Sequence, residues 1–184
     1  MNTITYEVLE SNNVMQIDLQ EPMKIVKVTQ GEAELEVTHE GNAHFIQLPT
    51  QTKGSEGKVT IHFEGNPRAA IRAPWDGGYS WKKDNNGNHF IATSNQGIGA
   101  SLWWPCKDHM YDEPDNGMTL SIQAPEKLTA VGNGRLEKIK KNKDGTRTFI
   151  WKVVNPINNY GVNVNIGDYV NISSKYKGEK GNLD

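Results

Sequence analysis

The chain has 184 residues, of which 35% are hydrophobic, and its 20 Lys and Arg against 22 Asp and Glu give a net charge of −2. This length suffices for one hydrophobic core, and the near-neutral charge argues against a dedicated nucleic-acid-binding protein. No segment approaches the roughly 20 apolar residues of a membrane-spanning helix. The single cysteine, Cys106, excludes an internal disulfide and an all-cysteine metal site.

Alternation of apolar and polar residues predicts strands along most of the chain. In chain order these are residues 25–28, 34–38, 45–48, 58–63, 118–122, 148–153 and 162–166. Turn sequences rich in Gly, Asn and Asp separate them, and no segment of ten or more residues has the 3.6-residue period of an amphipathic helix. The sequence therefore predicts an all-β fold, either a sandwich or an open, saddle-like barrel of short, mostly antiparallel strands.

Residues 65–114 contain few clean strands but four of the five tryptophans. Long irregular segments inside a domain are often functional. Trp75, Trp81, Trp103 and Trp104 have two interpretations at this point: a platform that stacks on sugar rings, or packing in a core or at an interface.

The segment from His39 to His44 resembles the zincin signature, in which two histidines four residues apart share one helix face. Here the spacing is five residues, and Gly41-Asn42 lies between two alternating segments. We therefore predict a hairpin turn without a metal site. The other histidines have no ligand spacing.

Two further features near residue 110 have structural explanations. Four acidic residues, Asp108, Asp112, Glu113 and Asp115, cluster there, but their spacing does not match a calcium-binding loop, so a solvated or locally hydrogen-bonded loop is predicted. Cys106 is flanked by Pro105 and Lys107, and a buried structural thiol is predicted there.

Residues 94–108 closely resemble a hallmark of the aminopeptidase N family of zinc metallopeptidases. In the first domain of that family, a Gln or Glu is followed nine residues later by Pro-Cys and then by an acidic residue and Pro. Gln96 and Pro105 reproduce this spacing, and residues 112–114 supply the acidic-Pro ending after a short insertion. Residues 120–134 and 155–169 are also similar to the family. One departure is Ser101, which stands where the family usually has Arg.

The resemblance implies that residues 1–174 are the N-terminal β-domain of a zinc aminopeptidase, and that the first strand of this domain is missing here. Residues 175–184 are then a linker or the start of the catalytic domain. The zinc ligands and general base of the family lie in that next domain, so no catalytic residue, metal ligand or cofactor is expected in this chain. The expected partners are the downstream catalytic domain and a peptide substrate. Residues 1–7 show no signal peptide, and relatives include secreted and cytoplasmic enzymes, so a secreted, periplasmic or cytoplasmic location stays open.

The same resemblance implies that Gln96 binds the free α-amino group of the substrate. Gly97 and Gly99 fit this role, because small residues let a substrate backbone approach closely. Trp103 and Trp104 are expected at the interface with the catalytic domain, as part of an exposed apolar patch with Leu102. An alternative for Gln96 is that it caps a loop by hydrogen-bonding the backbone. An alternative for the whole chain is a free-standing β-sandwich that binds glycans.

Overall fold

The computed structural model describes residues 1–183, which form sixteen β-strands and two single-turn 3₁₀ helices. The strands are β1 (Asn2–Glu7), β2 (Val14–Asp18), β3 (Lys24–Gln30), β4 (Ala33–Glu34), β5 (Val37–Glu40), β6 (Ala43–Gln47), β7 (Glu56–Glu64), β8 (Gly78–Lys83), β9 (His89–Ser94), β10 (Met118–Pro125), β11 (Thr129–Gly132), β12 (Arg135–Lys141), β13 (Thr146–Val153), β14 (Val164–Gly167), β15 (Tyr176–Gly178) and β16 (Gly181–Leu183). The 3₁₀ helices are Ala100–Leu102 and Asn159–Gly161. The prediction of an all-β fold without a long helix is confirmed.

The first half of the chain forms two antiparallel sheets, with strand orders β1-β7-β3-β4 and β2-β6-β5. Each strand directs alternate side chains inward, so the apolar residues of both sheets meet in one core. The most buried members of that core are Ile17, Val28, Ile46, Leu48, Val59 and Ile61. Removal of this apolar surface from water is the main force that holds the two sheets together.

The second half of the chain forms another pair of sheets, with strand orders β10-β13-β12 and β11-β14-β9-β8. Its smaller core contains Phe149, Ala124 and Ala130. Trp151 packs against this core and donates its indole N–H to the carbonyl of Ala130 at 3.0 Å. This bond satisfies the polar atom of a large, partly buried ring.

The predicted strand 34–38 is two strands that belong to different sheets. β4 pairs with β3, whereas β5 pairs with β6. Between them the backbone N–H of Leu35 donates to the carbonyl of Val28, and the N–H of Gln47 donates to the carbonyl of Glu36, each at 2.9 Å. The chain therefore crosses from one sheet to the other at residues 35–36, which alternation alone does not reveal.

The strands β1, β2, β11 and β12 lie outside the predicted ones, and two further segments contain strands that the sequence pattern did not predict. The irregular region 65–114 contains the paired strands β8 and β9, and the predicted linker 175–184 contains the paired strands β15 and β16. Within that linker, Asp184 lies outside the described residues. Across residues 1–183, no helix has the length and apolar character needed to cross a membrane.

The loop that follows β9 joins the two halves. Asp18 and Cys106 form an isolated antiparallel bridge, and the Asn2 side chain donates to the carbonyl of Pro105 at 2.8 Å. These long-range hydrogen bonds fix the loop that carries the predicted site residues between the two pairs of sheets.

Candidate functional site

Gln96 and Gly97 form the tip of an exposed turn directly after β9. The N–H of Gly99 donates to the carbonyl of Asn95 at 2.8 Å and closes the turn. Gly97 has φ +85, a conformation that favours glycine, and a Cβ added there would meet open space. Among the residues whose side chains are described, none hydrogen-bonds the Gln96 amide, which therefore does not cap the loop. The tip thus presents a free amide group beside open backbone.

The turn is anchored on both sides. Before the tip, the buried Asn95 donates its side-chain N–H to the carbonyl of Val162. After the tip, the Gln20 side chain donates to the carbonyl of Ile98 at 2.8 Å and to the Ser101 hydroxyl at 3.1 Å. Because these partners lie on separate elements, the position of the turn is set by the whole domain rather than by the loop alone.

Asp108 caps the first 3₁₀ helix, which begins directly after the turn. Its carboxylate accepts hydrogen bonds from the N–H groups of Ala100 at 3.3 Å and Ser101 at 3.2 Å, and from the Ser101 hydroxyl. The Asp108 N–H in turn donates to the Asp18 carboxylate at 3.1 Å. A Cβ on Gly99 would overlap the Asp108 carboxylate. The absence of a side chain at Gly99 therefore makes room for the Asp108 carboxylate.

Trp103 and Trp104 are half-buried, and Leu102 beside them is only 1% exposed. The prediction that the three form an exposed apolar patch is therefore wrong for Leu102, whose side chain points into the protein. The two indole rings lie 5.9 Å apart, and Trp103 packs edge-on against Tyr79 at 6.2 Å. Burial also raises the pKa of Tyr79 above its ordinary value.

The four tryptophans of residues 65–114 fall into two groups. Trp75 is 87% exposed on the loop before β8, and Trp81 is 61% exposed on β8 itself, whereas Trp103 and Trp104 are half-buried. The Trp81 ring lies edge-on to His89 and donates its N–H to the ring nitrogen Nδ1 of that residue at 2.8 Å. This arrangement offers no platform of four rings and does not favour glycan binding.

His39 and His44 face each other across the hairpin formed by β5 and β6, so the predicted hairpin is confirmed. Their rings stack with centroids 5.5 Å apart, a closeness that the sequence did not establish. Desolvation lowers the pKa of His44, and the charge of His39 lowers it further. A hydrogen bond to the Asn42 carbonyl opposes this shift. Across residues 1–183, no group of three or more His, Cys, Asp or Glu side chains is arranged to hold a metal ion.

The acidic cluster and the cysteine are structural. Asp108 serves as the cap described above, and Asp112 pairs with Lys107 at 3.1 Å, which agrees with the predicted hydrogen-bonded loop. Cys106 is 4% exposed. Burial raises the pKa of its thiol, and the neighbouring carboxylates of Asp108 and Asp18 add to the shift, so the thiol is held in its unreactive protonated form.

The fold has clear relatives among solved structures. It superposes on the M1 zinc metallopeptidase of Deinococcus radiodurans with a TM-score of 0.73 at 17% identity, over 90% of this chain and 36% of that one. A mutant of that enzyme bound to a Tyr-Ser-Ala substrate gives the same values. A two-domain M1 zinc metallopeptidase mutant bound to L-tryptophan gives a TM-score of 0.74 at 17% identity, over 90% of this chain and 37% of that one.

The chain thus spans little more than a third of the length of these enzymes. No curated protein matches its sequence. The sequence profile of the peptidase M1 N-terminal domain, in contrast, matches residues 2–160, which is most of the chain. The prediction made from residues 94–108 is confirmed: the chain belongs to the peptidase M1 N-terminal domain family.

Proposed function

We propose that this domain is the accessory domain of a zinc aminopeptidase and that Gln96 binds the free α-amino group of the peptide substrate. The observation that carries the proposal is the Gln96 amide, which is exposed and unpartnered on a turn that hydrogen bonds hold at both sides. Family membership supports the enzyme class. The bound Tyr-Ser-Ala of one similar structure supports a peptide with a free first residue.

Recognition of an amino terminus is a problem of hydrogen bonding and charge. An aminopeptidase must distinguish the first residue of a peptide from those inside it, and the distinguishing group is the ammonium. The Gln96 carbonyl oxygen accepts a hydrogen bond from that ammonium, and a carboxylate on the catalytic domain supplies the opposite charge. Both interactions strengthen when the domains exclude water from the cleft. The open space beside Gly97 lets the peptide backbone come close.

The hydrolytic chemistry belongs to the catalytic domain. A catalytic zinc needs three protein ligands and an open position for water, and the described residues of this chain offer no such set. Zinc, when bound by the catalytic domain, activates the water that attacks the peptide bond. The role of this domain is to form one wall of the cleft and to set the distance between the substrate amine and that water.

Trp103 and Trp104 are the proposed contact with the catalytic domain. Both residues are half-buried and lie directly after the 3₁₀ helix that follows the Gln96 turn. Aromatic side chains are enriched at the centres of interfaces because they bury large surfaces with little loss of conformational entropy. A contact here places the Gln96 turn close to the boundary between the domains.

The test is Gln96→Ala in the enzyme that contains this domain, assayed with aminoacyl-anilide substrates. Loss of a hydrogen bond to a charged group costs about 1.5–3 kcal/mol, so kcat/KM should fall by at least about tenfold. Gln96→Glu should retain activity because it keeps an acceptor at the same place. Gln47→Ala, which removes another exposed glutamine from β6, is the matched control and should leave kcat/KM unchanged. Unchanged kinetics in Gln96→Ala would remove the assignment.

A further inference from the structure

The loop between β7 and β8 presents two large apolar side chains to solvent. Ile71 is 86% exposed and Trp75 is 87% exposed. Single exposed apolar residues are common and need no explanation. This loop differs because it is held in shape while it exposes them: the Asp76 carboxylate accepts from the N–H groups of Ile71 at 2.7 Å and Arg72 at 2.9 Å. The Trp75 N–H also donates to the carbonyl of Arg72 at 2.9 Å.

The same loop lies against the Gln96 turn at two points. On one side of Trp75, the carbonyl of Pro74 accepts a hydrogen bond from the Ser94 hydroxyl at 2.8 Å. On the other side, Gly77 packs so closely on Ile98 that a Cβ there would overlap the isoleucine side chain. Along the chain, Trp75 lies between Pro74 and Gly77, and Gln96 lies between their contact partners Ser94 and Ile98. The two exposed side chains are therefore on neighbouring loop tips.

We infer that Trp75 is a specificity-determining residue that packs against the side chain of the substrate's first residue. The inference rests on the proposed function, in which Gln96 binds the amine of that same residue. The amine and the side chain of an amino acid are bonded to one carbon, so a group beside the amine-binding Gln96 is within reach of the side chain. An indole ring presents a flat apolar surface, and it contributes most to substrates whose first residue is large and apolar.

The chemistry of the Trp75 ring favours a substrate whose first residue is apolar or aromatic. The Trp75 ring offers a flat apolar surface, and the Asp76 carboxylate that follows it accepts hydrogen bonds from the N–H groups of Ile71 and Arg72. A small first residue such as alanine does not extend to the ring. Trp75 therefore discriminates among substrates by size and apolar character, whereas Gln96 treats all free amino termini alike.

The experiment compares Trp75→Ala with Trp81→Ala in the enzyme that contains this domain. Trp81 is also exposed, but it lies on β8. kcat/KM is measured for the phenylalanyl, leucyl and alanyl anilides. Trp75→Ala should lower the values for phenylalanine and leucine by about tenfold relative to alanine, in the range that contacts in an apolar pocket provide. Trp75→Phe should restore most of the preference, and Trp81→Ala should leave all three values unchanged.

The ratio between substrates is independent of the amount of folded enzyme, so a loss of stability cannot imitate the result. If Trp75 only docks the catalytic domain, Trp75→Ala lowers kcat/KM equally for all three substrates, and that result overturns the inference. The inference is also overturned if Trp75→Ala lowers none of the three values. Gln96→Ala measured in parallel separates this failure from that of the proposed function. If Gln96→Ala lowers all three values while Trp75→Ala leaves their ratios unchanged, only the inference about Trp75 is wrong.

Discussion

Asp108 is the residue whose removal should most disturb the Gln96 turn. In Asp108→Ala, the N–H groups of Ala100 and Ser101 and the Ser101 hydroxyl all lose their acceptor. Each such bond contributes about 0.5–1.5 kcal/mol, and more when the acceptor is charged. Ser101 is 2% exposed, so water does not readily replace the lost bonds. The free energy of unfolding should therefore fall by about 3 kcal/mol, which lowers the Tm of a domain of this size by roughly 6–12 °C.

Thermal unfolding followed by circular dichroism measures this change on the 184-residue chain. Asp115→Ala is the matched control, because it removes an exposed carboxylate from the same acidic cluster without breaking a described hydrogen bond. It should leave the Tm within about 2 °C, as most surface substitutions do. If Asp108→Ala and Asp115→Ala unfold at the same temperature, the hydrogen bonds of Asp108 do not fix the turn.

Three further predictions concern groups outside the turn. The Cys106 thiol, buried with a raised pKa, should react with a thiol reagent only after unfolding, and rapid labelling of the native chain would contradict its burial. The folded pKa of His44 is lowered, so its contribution to stability is complete above the ordinary value of 6.5 and is lost as the pH falls below it. NMR titration should show that His39→Ala raises the pKa of His44, and an unchanged or lower pKa would refute the coupling. The 184-residue chain alone should neither retain stoichiometric zinc after dialysis nor hydrolyse aminoacyl-anilides; one tight zinc per chain, lost in His39→Ala, would show that the hairpin is a metal site.

The strand pattern predicted the fold class because burial of one sheet face leaves a period of two in the sequence. It failed at residues 35–36, where the chain crosses between sheets while its apolar alternation continues through Leu35 and Val37. β12 was also missed. All seven of its residues are exposed, so no burial pattern exists along that strand, and it is held by pairing with β13.

The candidate site was predicted in part. The exposure of Gln96 and Gly97 agrees with their place among small and turn-forming residues. The anchor Gln20 was missed because it lies 78 residues from Ile98 in sequence and contacts it only through the fold. The loop with Trp75 was noted only for its tryptophan. Its position beside the Gln96 turn depends on tertiary contacts that no local pattern records.

A crystal structure of the enzyme that contains this domain, bound to an uncleaved peptide, tests the central claim most directly. The account predicts that the Gln96 side-chain oxygen lies about 3 Å from the substrate's ammonium nitrogen, within hydrogen-bond distance. A structure in which the turn around Gln96 faces solvent, away from the cleft and the peptide, would contradict it.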